Sequence, residues 1–257
     1  MISIVTPAYN SAEYIEACIL SIKNQTYRDF EHIIVDGGSK DATVDIIRRH
    51  EGSYPMRWIS EKDNGMYDAI RKGFGMARGD VFCWLNSDDI YMPWTLEIVS
   101  KVVGSNGIQW CVGVPAQINE KGVLYFPVTQ FITFPRFCIR RGWMDGRRLG
   151  CIQQESSFWT RALYEAAGGI DAGYKAAGDY DLWHRFAQRE KLYSVNSVLA
   201  GFRVHEGQKS GDRESYLNEA HRLTPVEKAL NAVKFYKTIN YALKKREKIV
   251  DVRRLAT

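Results

Sequence analysis

Five residues in three separate stretches carry groups that could do chemistry together: Asp88 and Asp89, Asp179 and Asp181, and His205. Adjacent carboxylates repel one another unless a cation sits between them. Hard oxygen ligands suit Mg²⁺ or Mn²⁺, and such ions usually share their coordination shell with substrate phosphates. The Asp88-Asp89 pair therefore reads as a metal–diphosphate site, or as an Asp-Asp turn or helix cap ahead of Pro93. Asp179 and Asp181 flank Tyr180 just before Leu182-Trp183-His184-Arg185-Phe186, a helical stretch with an apolar stripe. Acids at a helix start cap it and favour its dipole, which accounts for at least one of the two.

The elements that must hold these groups follow from hydrophobic pattern. Val81, Phe82, Cys83, Trp84 and Leu85 form an unbroken apolar run that ends at Ser87-Asp88-Asp89. Such a run predicts a buried, parallel strand delivering two acids to the carboxyl end of a sheet, where open α/β sheets bind ligands. Upstream, residues 1–6 predict a first strand and Pro7-Ala8-Tyr9-Asn10 a turn, with Asn10 capping a helix through a box closed by Glu13. Ile15, Cys18, Ile19 and Ile22 share one stripe of that helix. Glu31–Val35 predicts a second strand, Val44, Ile46 and Ile47 mark a second helix, Arg57–Ser60 a third strand, and Met66–Ala77 a third helix. Strand and helix thus alternate through residue 103, as in βαβ units.

Six motifs in this order resemble the family-2 glycosyltransferases. They are Ile4-Val5-Thr6-Pro7-Ala8-Tyr9-Asn10, then Ile34-Val35-Asp36-Gly37-Gly38-Ser39-Lys40-Asp41-Ala42-Thr43, then Ser60-Glu61-Lys62-Asp63-Asn64-Gly65-Met66-Tyr67-Asp68-Ala69 with Lys72-Gly73. Leu85-Asn86-Ser87-Asp88-Asp89 resembles the family's DXD-type metal motif. Gly178-Asp179-Tyr180-Asp181-Leu182-Trp183 resembles its acceptor-side acidic motif, and Phe202-Arg203-Val204-His205 the segment that returns to the metal. One such motif is weak; six in order over roughly residues 1–210 are specific.

The resemblance implies a GT-A fold: a Rossmann-like, mixed but mainly parallel sheet flanked by helices. It divides the chain into a glycosyltransferase domain over residues 1–212, with a nucleotide-binding half at 1–103 and an acceptor half at 104–212. A basic helical extension follows at 213–257. The implied activity is inverting transfer of a sugar from a nucleotide-diphosphate donor, first of all a UDP-sugar. The acceptor would be a saccharide or lipid-linked saccharide in cell-surface polysaccharide synthesis, and the sugar a hexosyl or N-acetylhexosaminyl unit. It implies Mn²⁺ or Mg²⁺ as cofactor, Asp89 as metal ligand with His205 as a further contact, and Asp88 beside the donor. Pro7, Ala8 and Tyr9 would edge the nucleobase, and Asp36, Asp63 and Arg71 would reach base, ribose or diphosphate. Asp179 would be the base that takes the acceptor's proton, and Asp181 a cap or acceptor-side acid. Two positions depart from the family pattern: Gly37 replaces a common second Asp, and Gly178 replaces a Glu.

The acceptor half is less legible. Gln153, Gln154 and Glu155 precede a strand with Trp159, a polar cluster beside aromatics that suits sugar hydroxyls or a loop surface. Trp110, Phe126, Phe131, Phe134, Phe137, Trp143 and Trp159 could meet sugar faces, though aromatics are more often core. Residues 134–137 and 140–143 read as loops where a lid could form.

Composition limits the remaining classes. The 257 residues are 45% hydrophobic, enough for a core, and no run approaches the ~18 apolar residues of a membrane helix. No secretory leader is evident, and five cysteines without CxxC spacing fit a reduced, cytoplasmic protein. Residues 214–257 hold ten Lys/Arg against five acids, which accounts for the whole net charge of +5. Thr224-Pro225-Val226-Glu227 predicts a helix start, and Leu230, Val233, Tyr236, Ile239 and Leu243 follow at helical spacing. That helix would pack on the body or on a second copy, as a homo-oligomer, or lie on the inner face of a membrane against anionic lipid. No motif accompanies the charge to suggest nucleic acid. A nucleotidyltransferase would need a basic Gly-rich loop after the first strand, where Pro7-Ala8-Tyr9-Asn10 stands instead. A non-catalytic nucleotide-sugar-binding subunit would not need both Asp179 and the Asp88-Asp89 pair.

Overall fold

A computed structural model describes residues 1–105, 107–125, 133–146, 150–208, 212–223 and 249–250. The N-terminal half runs β1 (Ile2–Ala8), α1 (Ile15–Lys23), β2 (Phe30–Asp36), α2 (Thr43–His50), β3 (Met56–Ser60), α3 (Met66–Met76) and β4 (Val81–Trp84). The chain continues through β5 (Ile90–Tyr91), α4 (Thr95–Val102), β6 (Trp110–Val112), β7 (Gln117–Ile118), β8 (Leu124–Tyr125) and α5 (Arg136–Arg140). It ends with β9 (Ser157–Thr160), α6 (Arg161–Ala166), α7 (Gly178–Arg189), β10 (Tyr193–Val195), β11 (Ala200–Arg203), α8 (Arg213–Leu223) and β12 (Ile249–Val250).

Eight strands form the main sheet in the order β12-β10-β6-β9-β4-β1-β2-β3. β1 pairs in parallel with β2 and β4, and β2 with β3, so their carboxyl ends share one edge. β9 is the exception, antiparallel to both β4 and β6. β4 therefore has one parallel and one antiparallel neighbour, and the acid-bearing loop after it lies opposite the start of β9. A smaller sheet, β5-β11-β7-β8, folds over that edge.

β1, β2 and β4 are buried throughout, because helices cover both faces of the sheet. One face packs Val5, Phe82, Trp84, Trp110 and Trp159 against α3, α5, α6 and α7. The other packs Ile2, Ile4, Cys83 and Cys111 against α1 and α4. The first face carries the geometry of the site. Trp183 of α7 stacks on Trp84 of β4, with ring centroids 5.9 Å apart, and on Trp110 of β6 at 5.4 Å. Trp84 lies four residues before Asp88, and Trp183 four residues after Asp179. The indole stack thereby fixes the start of α7 relative to the loop after β4. Trp159, expected near the acceptor, is fully buried in this stack at 5.5 Å from Trp84 and presents no face to a ligand.

Three local expectations change. Asn10 does not cap the first helix, which begins only at Ile15 after a turn. Asn10 adopts a left-handed conformation with φ 48°, and its Oδ1 accepts the Lys40 N–H at 2.9 Å, tying the loop after β1 to the loop after β2. The stretch 134–143 is no lid: α5 occupies Arg136–Arg140, and Phe134 and Trp143 are core residues. The Arg136 guanidinium fastens this helix to the Ala187 and Gln188 carbonyls at the end of α7. Phe126, Phe131 and the helix expected from Thr224 onward lie outside the described residues. Within the tail, β12 pairs in parallel with β10 at the sheet edge.

Candidate active site

The carboxyl ends of β1 and β4, the start of β9 and the start of α7 surround a cavity of about 1040 Å³. Pro7, Ala8, Tyr9, Asp63, Asp88, Gln154, Glu155, Asp179 and His205 all line it, so motifs up to 198 residues apart in sequence meet at one place. Tyr9 is 62% exposed on the rim and free to lie against a planar ring.

Asp88 and Asp89 are placed differently. Asp88 faces the cavity, with Oδ2 3.1 Å from His205 Nε2. Asp89 is 1% exposed and does not line the cavity; its Oδ1 accepts the Arg203 backbone N–H at 2.8 Å. Burial, then the neighbouring Asp88 and Glu155 charges, hold Asp89 well above the usual carboxylate range. Its other oxygen, Oδ2, is buried without a hydrogen bond, so Asp89 keeps an oxygen for the cation expected of it while Asp88 lines the cavity directly. Arg203 is the residue that sorts the pair. Its Nε donates to the Asp88 carbonyl at 2.6 Å, and its Nη1 donates to the Asn119 and Glu120 carbonyls. Its guanidinium also lies 4.8 Å over the Tyr14 ring, which in turn contacts the His205 ring at 4.7 Å.

The Asp88–His205 contact fits a divalent ion. His205 Nδ1 donates to the Glu206 carbonyl at 2.8 Å, which turns Nε2 toward the Asp88 carboxylate. Two acceptors at 3.1 Å need a proton or a cation between them. Asp88 and His205 are the residues that would hold such an ion, beside the unbonded Oδ2 of Asp89. Among the described residues no group of three or more His, Cys, Asp or Glu could hold a metal alone. A hard ion here would complete its shell from oxygens of a bound ligand.

Asp179 sits in the first turn of α7, buried yet on the cavity wall. Burial pushes its carboxyl up to about 6, although the backbone N–H of Tyr180 and the Tyr67 hydroxyl hold it down. Tyr67 is the partner that the sequence did not reveal. Its hydroxyl donates to the Ala176 carbonyl at 2.9 Å, lies 3.4 Å from Asp179 Oδ1, and accepts the Asp179 N–H at 3.4 Å. Its ring also explains Gly178, since a Cβ there would lie 2.9 Å from it. Gly37 has the same kind of cause: a Cβ would come within 2.6 Å of the Asp63 carboxylate. Asp181 points elsewhere and is held by Arg185, with Oδ2 accepting from Nε at 2.9 Å and Nη2 at 2.5 Å, so it is a structural acid and not an acceptor contact.

Two expected donor residues are otherwise engaged. Asp36 is fully buried, and its carboxylate accepts from the Gly38 and Ser39 N–H groups, from the Ser39 hydroxyl and from Ser60 Oγ at 2.6 Å. It shapes the loop after β2 and does not reach the cavity. Arg71 is paired with Asp68 at 2.9 Å and also lies off the cavity; Lys62 is the lysine on its wall.

The start of α7 has an unforeseen support from α8. Ala177 supplies no side-chain cap. Instead Glu219 of α8 accepts the Lys175, Ala176 and Ala177 N–H groups, at 2.9, 2.8 and 2.9 Å. Asp212, Tyr216 and Leu217 of the same segment line the cavity. No motif marked these positions, because a helix that caps another at a distance leaves no local pattern.

A mixed sheet with an acid pair at the carboxyl edge, a second acid facing it and loops open to a nucleotide-sized cavity define a GT-A glycosyltransferase. Residues 3–165 match the family model Glycosyl transferase family 2, and the chain belongs to that family. An uncharacterized glycosyltransferase of Rickettsia typhi is 28% identical over 233 residues, spanning 87% of this chain and 70% of the relative. The hyaluronan synthase of Pasteurella multocida is 25% identical over 233 residues, which are 90% of this chain but 23% of the synthase. Among solved structures, S. aureus TarS 1–349 with UDP-GlcNAc superposes with a TM-score of 0.70 at 16% identity, over 87% of this chain and 65% of TarS 1–349. The mannosyltransferase PcManGT of Pyrobaculum calidifontis, with GDP-Man and Mn²⁺, superposes with a TM-score of 0.62 at 17% identity, over 95% and 81%. Both show the shared fold. No helix among the described residues is long and apolar enough to cross a membrane.

Proposed function

We propose that this glycosyltransferase moves a sugar from a nucleotide-diphosphate donor to a hydroxyl of a saccharide or lipid-linked acceptor, with inversion, in polysaccharide synthesis. The observation that carries the reading is the shared cavity, with the Asp88–His205 pair and Asp179 on its walls. The donor's nucleoside would lie along Pro7, Ala8 and Tyr9 near Asp63, with its diphosphate toward Asp88 and His205. A Mn²⁺ or Mg²⁺ ion, when bound by Asp88 and His205, would neutralise charge on the departing diphosphate. The UDP-GlcNAc of TarS and the GDP-Man and Mn²⁺ of PcManGT support a nucleotide-sugar and a divalent ion. The hyaluronan synthase relationship supports a polysaccharide product.

The chain's own groups have defined tasks. Asp179 accepts the proton of the acceptor hydroxyl as that oxygen bonds to the anomeric carbon. The bond from that carbon to the diphosphate oxygen breaks, and its electron pair leaves with the diphosphate. Buried near Tyr67, the Asp179 carboxylate is poised for this transfer close to neutral pH. A single displacement with no protein nucleophile inverts the configuration. In the C-terminal half, α8 supports the base through Glu219. Of the basic tail, the described residues Ile249 and Val250 pair with β10 at the sheet edge.

The test is turnover. The purified protein with Mn²⁺ is incubated with UDP-, GDP- and dTDP-sugars, and release of the nucleoside diphosphate is followed. Slow hydrolysis of one donor class, accelerated by oligosaccharide acceptors, is expected. Silence with every donor, together with absent binding of every nucleoside diphosphate, overturns the reading.

A further inference from the structure

The floor of the cavity is built from polar atoms that have no partner inside the protein. Asn86 Oδ1, Gln154 Oε1 and Glu155 Oε1 are buried without a hydrogen bond, and all three residues line the cavity. Gln154 is held by its amide nitrogen, which donates to the Trp84 carbonyl at 2.6 Å, so its oxygen is the free end. Glu155 is only 3% exposed. Buried polar atoms without partners are few in folded proteins, and each costs roughly 1–3 kcal/mol. Three acceptors on one wall are complementary to a ligand rich in hydroxyls, which donate to them.

The position of this wall is fixed by its neighbours. Glu155 lines the same cavity as Asp179 and Asp88, which mark its proton-accepting and diphosphate sides. The carbon that changes partners must lie between those sides, so the group beside Glu155 is the transferred sugar. The charge of the cavity adds a second condition. Eight of its described lining residues are Asp or Glu, against one lysine, Lys62, one histidine, His205, and no arginine. A divalent ion offsets the diphosphate and leaves the field of these carboxylates in place.

We infer that the floor formed by Asn86, Gln154 and Glu155 is the subsite of the transferred sugar, and that it takes a neutral, hydroxyl-bearing sugar and rejects a uronate. The inference rests on the nucleotide-sugar reading above. The protein's own acids show the field at work: burial together with Asp179 and Asp88 pushes Glu155 up to about 8. The same desolvation and like charge would act on a ligand carboxylate.

Calorimetry in the presence of Mn²⁺ tests it with matched donors. UDP-glucose is compared with UDP-glucuronate, and GDP-mannose with GDP-mannuronate, with UDP and GDP alone as references. The neutral donor of the accepted nucleotide should bind at least about tenfold more tightly than its uronate, the factor set by one pKa unit of unfavourable interaction. At pH 8.5, where most of Glu155 is ionised, Glu155→Gln keeps the shape and removes the charge, and should shrink that ratio severalfold. The wild-type comparison stands even where the variant does not fold. Equal or tighter binding of the uronate overturns the inference while leaving the nucleotide-sugar reading intact. A folded Glu155→Gln protein with an unchanged ratio also overturns it. Failure of UDP, GDP, dTDP and all of their sugar donors to bind overturns the reading and the inference together.

Discussion

The loop after β4 and the first turn of α7 each carry two acids, and each divides them in the same way. Asp88 and Asp179 face the cavity, whereas Asp89 and Asp181 turn into the protein. The partners that do the sorting differ. Asp89 is captured by a backbone N–H, that of Arg203, on a strand from the other sheet. Asp181 is captured by a side chain of its own helix, Arg185, one turn on. In α7 the spacing does the work, since residues two apart on a helix point to different faces. In the loop no periodicity distinguishes adjacent acids, and only a tertiary contact decides. The difference teaches that a helical acid pair can be assigned from local pattern, while a loop pair requires knowing what returns to it.

The largest expected effect breaks the first pair apart. Asp88→Ala removes the carboxylate opposite His205 and should abolish the Mn²⁺-dependent part of UDP binding, with transfer reduced ~10³-fold or more. Asp89→Asn keeps an oxygen that can accept the Arg203 N–H. It should leave metal-dependent affinity within severalfold of wild type. Calorimetry of UDP with and without Mn²⁺ decides; the reverse order of effects would make Asp89 the main metal contact.

The second pair should separate rate from stability. Asp179→Asn preserves shape but cannot take a proton, so transfer should fall ~10²-fold or more with near-normal donor affinity. Asp181→Asn weakens a charge-assisted, half-buried pair and should lower stability by roughly 1–3 kcal/mol, read as a shift in denaturant midpoint, with kcat little changed. A dead but stable Asp181→Asn protein beside an active Asp179→Asn protein would exchange the two roles.

Glu219 offers a smaller and more diagnostic effect, because it touches neither pair. Glu219→Ala leaves the N–H groups of Lys175, Ala176 and Ala177 without their carboxylate. A lost helix cap costs up to ~2 kcal/mol, and transfer should fall about tenfold as Asp179 loses its registration, with UDP affinity unchanged. Loss of UDP binding in this variant would mean that α8 supports the whole cavity and not the start of α7 alone.

These outcomes bear on how much the sequence discloses. The alternation of apolar strands with striped helices is written locally, so β1 to β4 and the helices between them are readable from residue order. So are the acids at strand ends, since a polar residue that stops an apolar run marks the sheet edge. What is unreadable depends on return contacts. Trp159 is as aromatic as a sugar platform, but Trp84, Trp110 and Trp183 enclose it. Asp36 and Arg71 sit in recognisable motifs, yet Ser39, Ser60 and Asp68 satisfy them before any ligand could. Tyr67 and Glu219 act on Asp179 from 112 and 40 residues away, and nothing in their local sequence announces it.

The smallest effect is a pH dependence that tests whether Asp179 is as buried as its surroundings indicate. Its carboxyl titrates near 6 in the folded protein against an ordinary value of 3.8, because burial disfavours the charged form more than the Tyr180 N–H and the Tyr67 hydroxyl favour it. The base must be ionised, so transfer should fall as pH drops through about 6, to half its plateau near that value. Stability should respond with the opposite sign. Between pH 3.8 and about 6 the folded state binds the proton more tightly than the unfolded state. This group therefore stabilises the fold most fully at low pH, and its contribution is lost as pH rises through that window. Replacing it by the permanently neutral Asn should remove both slopes at once. The measurement is the difference between wild-type and Asp179→Asn melting temperatures from pH 4 to 7. A difference that does not change across this range would mean that Asp179 meets water in solution, and that its advantage over Asp181 as a base lies in position alone.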